Sequence, residues 1–163
     1  MTIVVCPLDA VGAACATHAP THTIGLLGPD APLPAISSGA RLDLRFNDIV
    51  AETEGLVAPS DRHVAQFIAF LADWDRASPL LIYCWAGVSR STAGALIAAA
   101  VRDGPGVEAQ AAQRLRQVAP FATPNRRLIT LADAQLRRGG AMTAATEAIG
   151  RGAETSMGAL FRL

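Results

Sequence analysis

The chain has 163 residues, 51% of them hydrophobic and 17% charged, enough apolar material for one packed core and too much for a disordered or solvating chain. Its 14 basic residues are all arginine and are balanced by 14 acidic ones, so there is no net field to hold nucleic acid or an anionic membrane, and any anion must be caught locally. Three cysteines, Cys6, Cys15 and Cys84, have spacings that give neither a disulfide framework nor a zinc site, which fits a reducing cytoplasm.

Along the chain, short β-like runs alternate with helical ones. Met1 to Ala19 lacks a basic start and is interrupted by Pro7 and Asp9, so it reads as a strand (Ile3–Cys6) and a helix to about His18 rather than as a secretion signal. Thr23–Leu27 is a second strand, closed by Gly28-Pro29-Asp30, and a loop rich in Pro, Ser and Gly runs from Pro29 to Gly39. Arg41–Phe46 alternates strictly, a strand with Leu42, Leu44 and Phe46 facing inward and one polar side. Ser60 is placed as an N-cap before Val64, Phe67, Ile68, Leu71 and Trp74 at helical spacing, giving an amphipathic helix over 60–76. Leu80–Tyr83 is an apolar run short enough for a buried strand, and Ser91–Arg102, apolar nearly all round, is a buried helix. Helices follow over about 107–118 and 125–137, with a weaker helical stretch from 142 onward and a last ten residues expected to fray or mediate contacts. No apolar run approaches the ~20 residues of a membrane span. The expectation is a single α/β domain over 1–163, with a mainly parallel four- to five-stranded sheet flanked by helices, a core over about 1–138 and a helical tail over 139–163.

Between the buried strand and the buried helix lies Cys84-Trp85-Ala86-Gly87-Val88-Ser89-Arg90-Ser91. A loop that leaves a parallel strand and enters a helix directs several backbone N–H groups, and the positive end of the helix dipole, at one spot; that spot binds an oxyanion. The same donors would stabilise a thiolate on Cys84 and make it a nucleophile. Arg90 adds a planar cationic fork suited to two phosphate oxygens, Gly87 permits the tight curl, and Ser91 can donate to the sulfur. Trp85 either lines the pocket wall or packs beneath the loop. The histidines His18, His22 and His63 have no metal-binding spacing, and His63 is expected to face solvent.

The segment Tyr83 to Thr92 resembles the phosphate loop of the cysteine-dependent protein tyrosine phosphatases, in particular their small dual-specificity-like branch, written His-Cys-x5-Arg-Ser/Thr. Pro120-Phe121-Ala122-Thr123-Pro124-Asn125 is similar to that family's Pro-x-Ala-x-Pro-Asn segment, and the likeness spans roughly residues 20 to 138. The departure is Tyr83, where the family has His. The resemblance implies a phosphatase acting on phosphotyrosine or with dual specificity through a cysteinyl phosphate, with Cys84 as nucleophile and Trp85, Ala86, Gly87, Val88, Ser89 and Arg90 binding phosphate.

It also implies an aspartate on a loop well before the cysteine, to protonate the leaving group. Asp43 lies inside the alternating strand, whereas Asp48 lies just past its end, on the edge where the Cys84 loop opens, so Asp48 is the expected acid; Glu52, Glu54 and Asp61 are weaker substitutes. Asn125 caps the following helix or, with Arg126, supports the loop or a substrate. The resulting expectation is a bacterial, cytoplasmic phosphatase needing no cofactor or metal. Its partner is a phosphorylated protein or a small phosphate monoester, with no nucleic acid and no membrane. The alternative is a non-catalytic phosphate-binding module, for which Tyr83 is the best argument. A phosphoinositide substrate is less favoured because the loop has no second cation between Cys84 and Arg90.

Overall fold

In the computed structural model, which describes residues 2–36 and 39–163, four strands run parallel: Ile3–Pro7 (β1), His22–Leu27 (β2), Ala40–Arg45 (β3) and Leu80–Cys84 (β4). Their order is β3-β2-β4-β1, and Phe161–Arg162 (β5) adds an antiparallel edge beside β1. Ser37 and Ser38 of the loop expected over 29–39 lie outside the described residues. The helices are Val11–His18 (α1), Asp61–Ala72 (α2), Arg90–Asp103 (α3), Glu108–Val118 (α4), Arg126–Gln135 (α5) and Ala141–Ile149 (α6).

β4 is the central strand and all of its residues are buried, as an unbroken apolar run requires of a strand covered on both faces. From β1 to β2 the chain crosses β4 in one direction, and from β3 to β4 it returns in the other. Right-handed crossovers travelling in opposite directions lie on opposite faces of the sheet. Accordingly α1 covers the face formed by Val4, Cys6, Leu27, Leu81 and Tyr83, while α2 and α3 pack on Ile3, Val5, Ile24, Leu26, Ile82 and Cys84. Helix α3 lies close against the sheet because Gly94 has no side chain: a Cβ there would sit 3.1 Å from both Ile82 Cγ2 and Leu26 Cδ1.

Three expectations change. Strand β3 ends at Arg45, and Phe46 follows it fully buried, its N–H donating to Leu27 O at 2.9 Å. Helix α2 ends at Ala72, so Trp74 reaches the core from the turn beyond, its indole N–H donating to Ser78 O at 2.8 Å. The stretch after 139 is helical only over α6; beyond it the chain is irregular up to β5, and instead of fraying it joins the sheet, with Ile3 and Leu163 exchanging backbone hydrogen bonds at 3.1 and 2.9 Å. No helix among the described residues is long and apolar enough to cross a membrane.

Candidate active site

All four parallel strands leave the sheet at one edge, which brings the ends of β1, β3 and β4 together. Cys84 ends β4 and is buried. Six residues later Arg90 begins α3, so the intervening loop must turn sharply, and Gly87 makes the turn with φ +71°. Its Cβ position is occupied from behind: a side chain there would lie 2.8 Å from the Pro7 nitrogen at the end of β1. Only glycine satisfies both the torsion and the packing.

The loop is organised from outside as well as inside. Four of its carbonyls meet a donor from another segment. Trp85 O accepts from Leu8 N at 3.2 Å, Ala86 O from Gly158 N at 2.7 Å, Val88 O from Thr123 N at 2.9 Å, and Ser89 O from Asn125 N at 3.3 Å. Thr92 Oγ1, one helical turn on, also donates to Val88 O and Ser89 O at 2.7 and 2.8 Å. On the inner side, Gly87 N–H donates to Cys84 Sγ at 3.2 Å, and Ser91 Oγ lies 3.1 Å from the same sulfur. Cys84 thus has two hydrogen-bonding neighbours suited to a thiolate. Cys6, on the opposite face of β1, has a thiol that burial first, and then Cys15, push up to about 12.

Arg90 is nine-tenths buried, and Nη1 donates to the Phe46 carbonyl at 2.9 Å, an anchor that depends on the chain turning inward after β3. Its Nε is buried without a hydrogen-bond partner among the described residues, and 3.9 Å from it lies Asp48 Oδ2. Asp48 Oδ1 accepts from Ser89 Oγ and from Asn125 Nδ2, both at 2.8 Å. Asn125 also caps α5, its Oδ1 accepting from Leu128 N at 3.1 Å. One Asp48 oxygen is therefore tied to the scaffold while the other faces the guanidinium.

The remaining carboxylates lie elsewhere. Asp43 is on the α1 face, where Oδ1 accepts the Tyr83 hydroxyl at 2.9 Å and Oδ2 accepts Arg41 Nε at 2.7 Å. Gly25 leaves room for this bridge, since a Cβ there would be 2.5 Å from the Tyr83 oxygen. Burial, and then Asp43, hold the Tyr83 phenol far above its ordinary range, so it is a neutral donor pointing away from Cys84. Glu52 is paired with Arg127 at 3.0 Å, Glu54 is exposed, and Asp61 receives Gln135 Nε2 at its backbone carbonyl. Trp85 is 54% exposed, which excludes packing beneath the loop. His63 does not face solvent: it is half-buried, its ring 4.9 Å from that of Phe46, and Nδ1 accepts the Ser60 N–H at 3.2 Å. Among the described residues no group of three or more potential metal ligands converges.

An open cleft of about 560 Å³ leads away from Asp48, Ser89 and Asn125 past Arg126 to Arg151 and Glu154. Gly158, Leu8 and the Phe46 carbonyl were not foreseeable as parts of the site. They act through backbone groups, which leave no side-chain signature in a sequence.

No family model and no curated protein matches the sequence. Solved structures do. Human DUSP28 aligns at 21% identity over 90% of this chain and 92% of its own, with a TM-score of 0.62. PTPMT1 in complex with PI(5)P aligns at 13% identity over 87% and 92%, TM-score 0.62. The human tyrosine phosphatase-like serine/threonine/tyrosine-interacting protein aligns at 16% over 82% and 89%, TM-score 0.62. The chain has the α/β fold of the dual-specificity phosphatases.

Proposed function

We propose that the protein is a cysteine-dependent phosphatase that hydrolyses phosphate monoesters through a cysteinyl-phosphate intermediate, and that the described chain works as one phosphatase unit, including residues 139–163. The observation that carries this reading is the buried Arg90 Nε, a cationic donor with no hydrogen-bond partner among the described residues, set between the Cys84 loop and Asp48. Buried donors are almost always satisfied, and a phosphate oxygen would satisfy this one.

In the first step Cys84 Sγ attacks phosphorus and the bond to the ester oxygen breaks, that oxygen taking the proton carried by Asp48. The loop amides and Arg90 hold the equatorial oxygens as charge shifts toward the leaving group. In the second step Asp48 takes a proton from water, the water oxygen attacks phosphorus, and the sulfur–phosphorus bond breaks. The departing thiolate is received by Gly87 N–H and Ser91 Oγ. Because both Asp48 oxygens lie near the loop and only Oδ2 is free of neutral donors, Oδ2 is the atom that carries the proton.

The substrate class is a phosphorylated side chain of a protein, tyrosine or dual-specificity, or a small phosphate monoester. The inositol phospholipid bound by PTPMT1 is a weaker model, since the loop here offers only Arg90 as a cation. A second reading, a module that binds phosphate without turning it over, is favoured by the Tyr83 hydroxyl: it bonds to Asp43 and adds no positive charge near the sulfur. Turnover of p-nitrophenyl phosphate separates the two. The phosphatase reading expects activity that Cys84→Ser abolishes while orthovanadate binding persists; tight anion binding with no turnover in the wild-type protein establishes the module instead.

A further inference from the structure

The loop's 86–87 peptide has donors and acceptors engaged at both ends. Its carbonyl, Ala86 O, accepts from Gly158 N at 2.7 Å, and its N–H, that of Gly87, donates inward to Cys84 Sγ at 3.2 Å. A trans peptide is planar, with C=O and N–H directed oppositely, so fixing the carbonyl outward aims the N–H inward. Turning that unit over would direct a carbonyl dipole at the sulfur and at any bound anion. The flanking Gly87, at φ +71°, offers little steric resistance to such a turn.

Gly158 belongs to a strap without helix, residues 150–163, that is pinned on both sides of this bond. Before it, Gly152 N donates to Thr123 Oγ1 at 3.1 Å and Ala153 N to Pro120 O at 2.9 Å. After it, Phe161 is buried, its ring 6.2 Å from that of Phe121, and pairs through β5 with β1. The seat accepts only glycine without rearrangement: a Cβ at 158 would lie 2.5 Å from Phe121 Cε2 and 3.0 Å from Gly87 O.

We propose that Gly158 is a positioning residue of the phosphate loop, its backbone N–H locking the 86–87 peptide in the orientation that presents Gly87 N–H to Cys84 and to the bound anion. The proposal rests on the reading of residues 84–90 as a phosphate-binding loop, but not on turnover. It makes a segment far along the chain part of the site without any of its side chains touching substrate.

The test uses orthovanadate affinity by titration calorimetry on three full-length proteins. Gly158→Pro removes the donor and should weaken orthovanadate about tenfold, the worth of one hydrogen bond to an anion. The double variant Gly158→Ala/Phe121→Leu keeps the N–H and relieves the approach to Phe121, leaving its Cβ 3.0 Å from Gly87 O, and should lose less than about threefold in affinity. Wild-type affinity in Gly158→Pro overturns the proposal, as does an equal loss in the double variant, which would assign the effect to bulk. Should the proline variant not fold, the wild-type protein supplies the decision. By reciprocity, orthovanadate should slow hydrogen exchange of the Gly158 amide, and unchanged exchange of that amide on saturation overturns the proposal. Absence of aryl phosphate turnover alongside these results would count against the phosphatase reading alone.

Discussion

In the proposed phosphatase Arg90 and Asp48 share the task of meeting a dianion, and their surroundings divide it. Arg90 is held by the Phe46 carbonyl and keeps Nε for the ligand; Asp48 is held at Oδ1 by Ser89 and Asn125 and keeps Oδ2. That Asp48 rather than Asp43 stands beside Arg90 was legible in the sequence, because a strand of period 2 puts Asp43 on one face, while a residue beyond the strand's end lies at the edge where parallel strands open. The role of Ser89 was legible only as a loop position, since nothing in the chain's order says that residue 89 meets residue 48. Asp48→Asn is expected to slow esters with poorly acidic leaving groups about 10²- to 10⁴-fold, and p-nitrophenyl phosphate much less in its first step; pre-steady-state rates on the two classes check this, and equal losses would contradict it. Tyr83, adjacent to the nucleophile, faces the other side of the sheet, as strand alternation requires. Tyr83→Phe should therefore lower stability by about 1 kcal/mol through loss of the bond to Asp43 and leave turnover near wild type, read by urea unfolding beside a kinetic assay.

At the scale of elements, burial patterns carried most of what the sequence could tell. β4 and α3 read as buried because both are apolar on every side, and both lie at the centre of the molecule. What the pattern could not show is where an element stops by capping or by turning. Helix α2 begins with His63 reaching back to the Ser60 N–H, a cap made by a residue that hydropathy alone assigns to water. Burial, and then Arg62, hold the His63 imidazolium below its ordinary value of 6.5. The folded protein thus binds this proton less readily than the unfolded chain. The stabilisation is complete above the ordinary value and is lost as pH falls through and below it. Urea midpoints measured from mildly alkaline to mildly acidic pH should fall on acidification, and His63→Gln should flatten that dependence. An equally steep fall in the variant would assign it to other groups.

For the whole molecule, the topology explains why distant segments converge. Two crossovers of one hand, taken in opposite directions, leave β4 in the middle with the ends of β1 and β3 at the same edge, so the loop that follows β4 is met by Leu8 from one side and Asp48 from the other. That much follows from strands alternating with helices. The return of the chain to form β5 does not, because a two-residue strand has no period to read and its pairing is made by backbone groups. The same return places Gly158 against the loop that follows Cys84, and the cleft beside Asp48 takes one wall from residues 150–155. The candidate site is accordingly a property of the folded whole, with Cys84 at its centre and its supports drawn from both ends of the chain. The central claim is that Cys84 accepts the phosphoryl group. Asp48→Asn protein, which lacks the base for the second step, should accumulate the intermediate with p-nitrophenyl phosphate, so mass spectrometry of the acid-quenched protein measures the claim directly. The account predicts phosphate on Cys84 in near-stoichiometric amount; turnover by the wild-type protein with no phosphate found on Cys84 in the variant would contradict it.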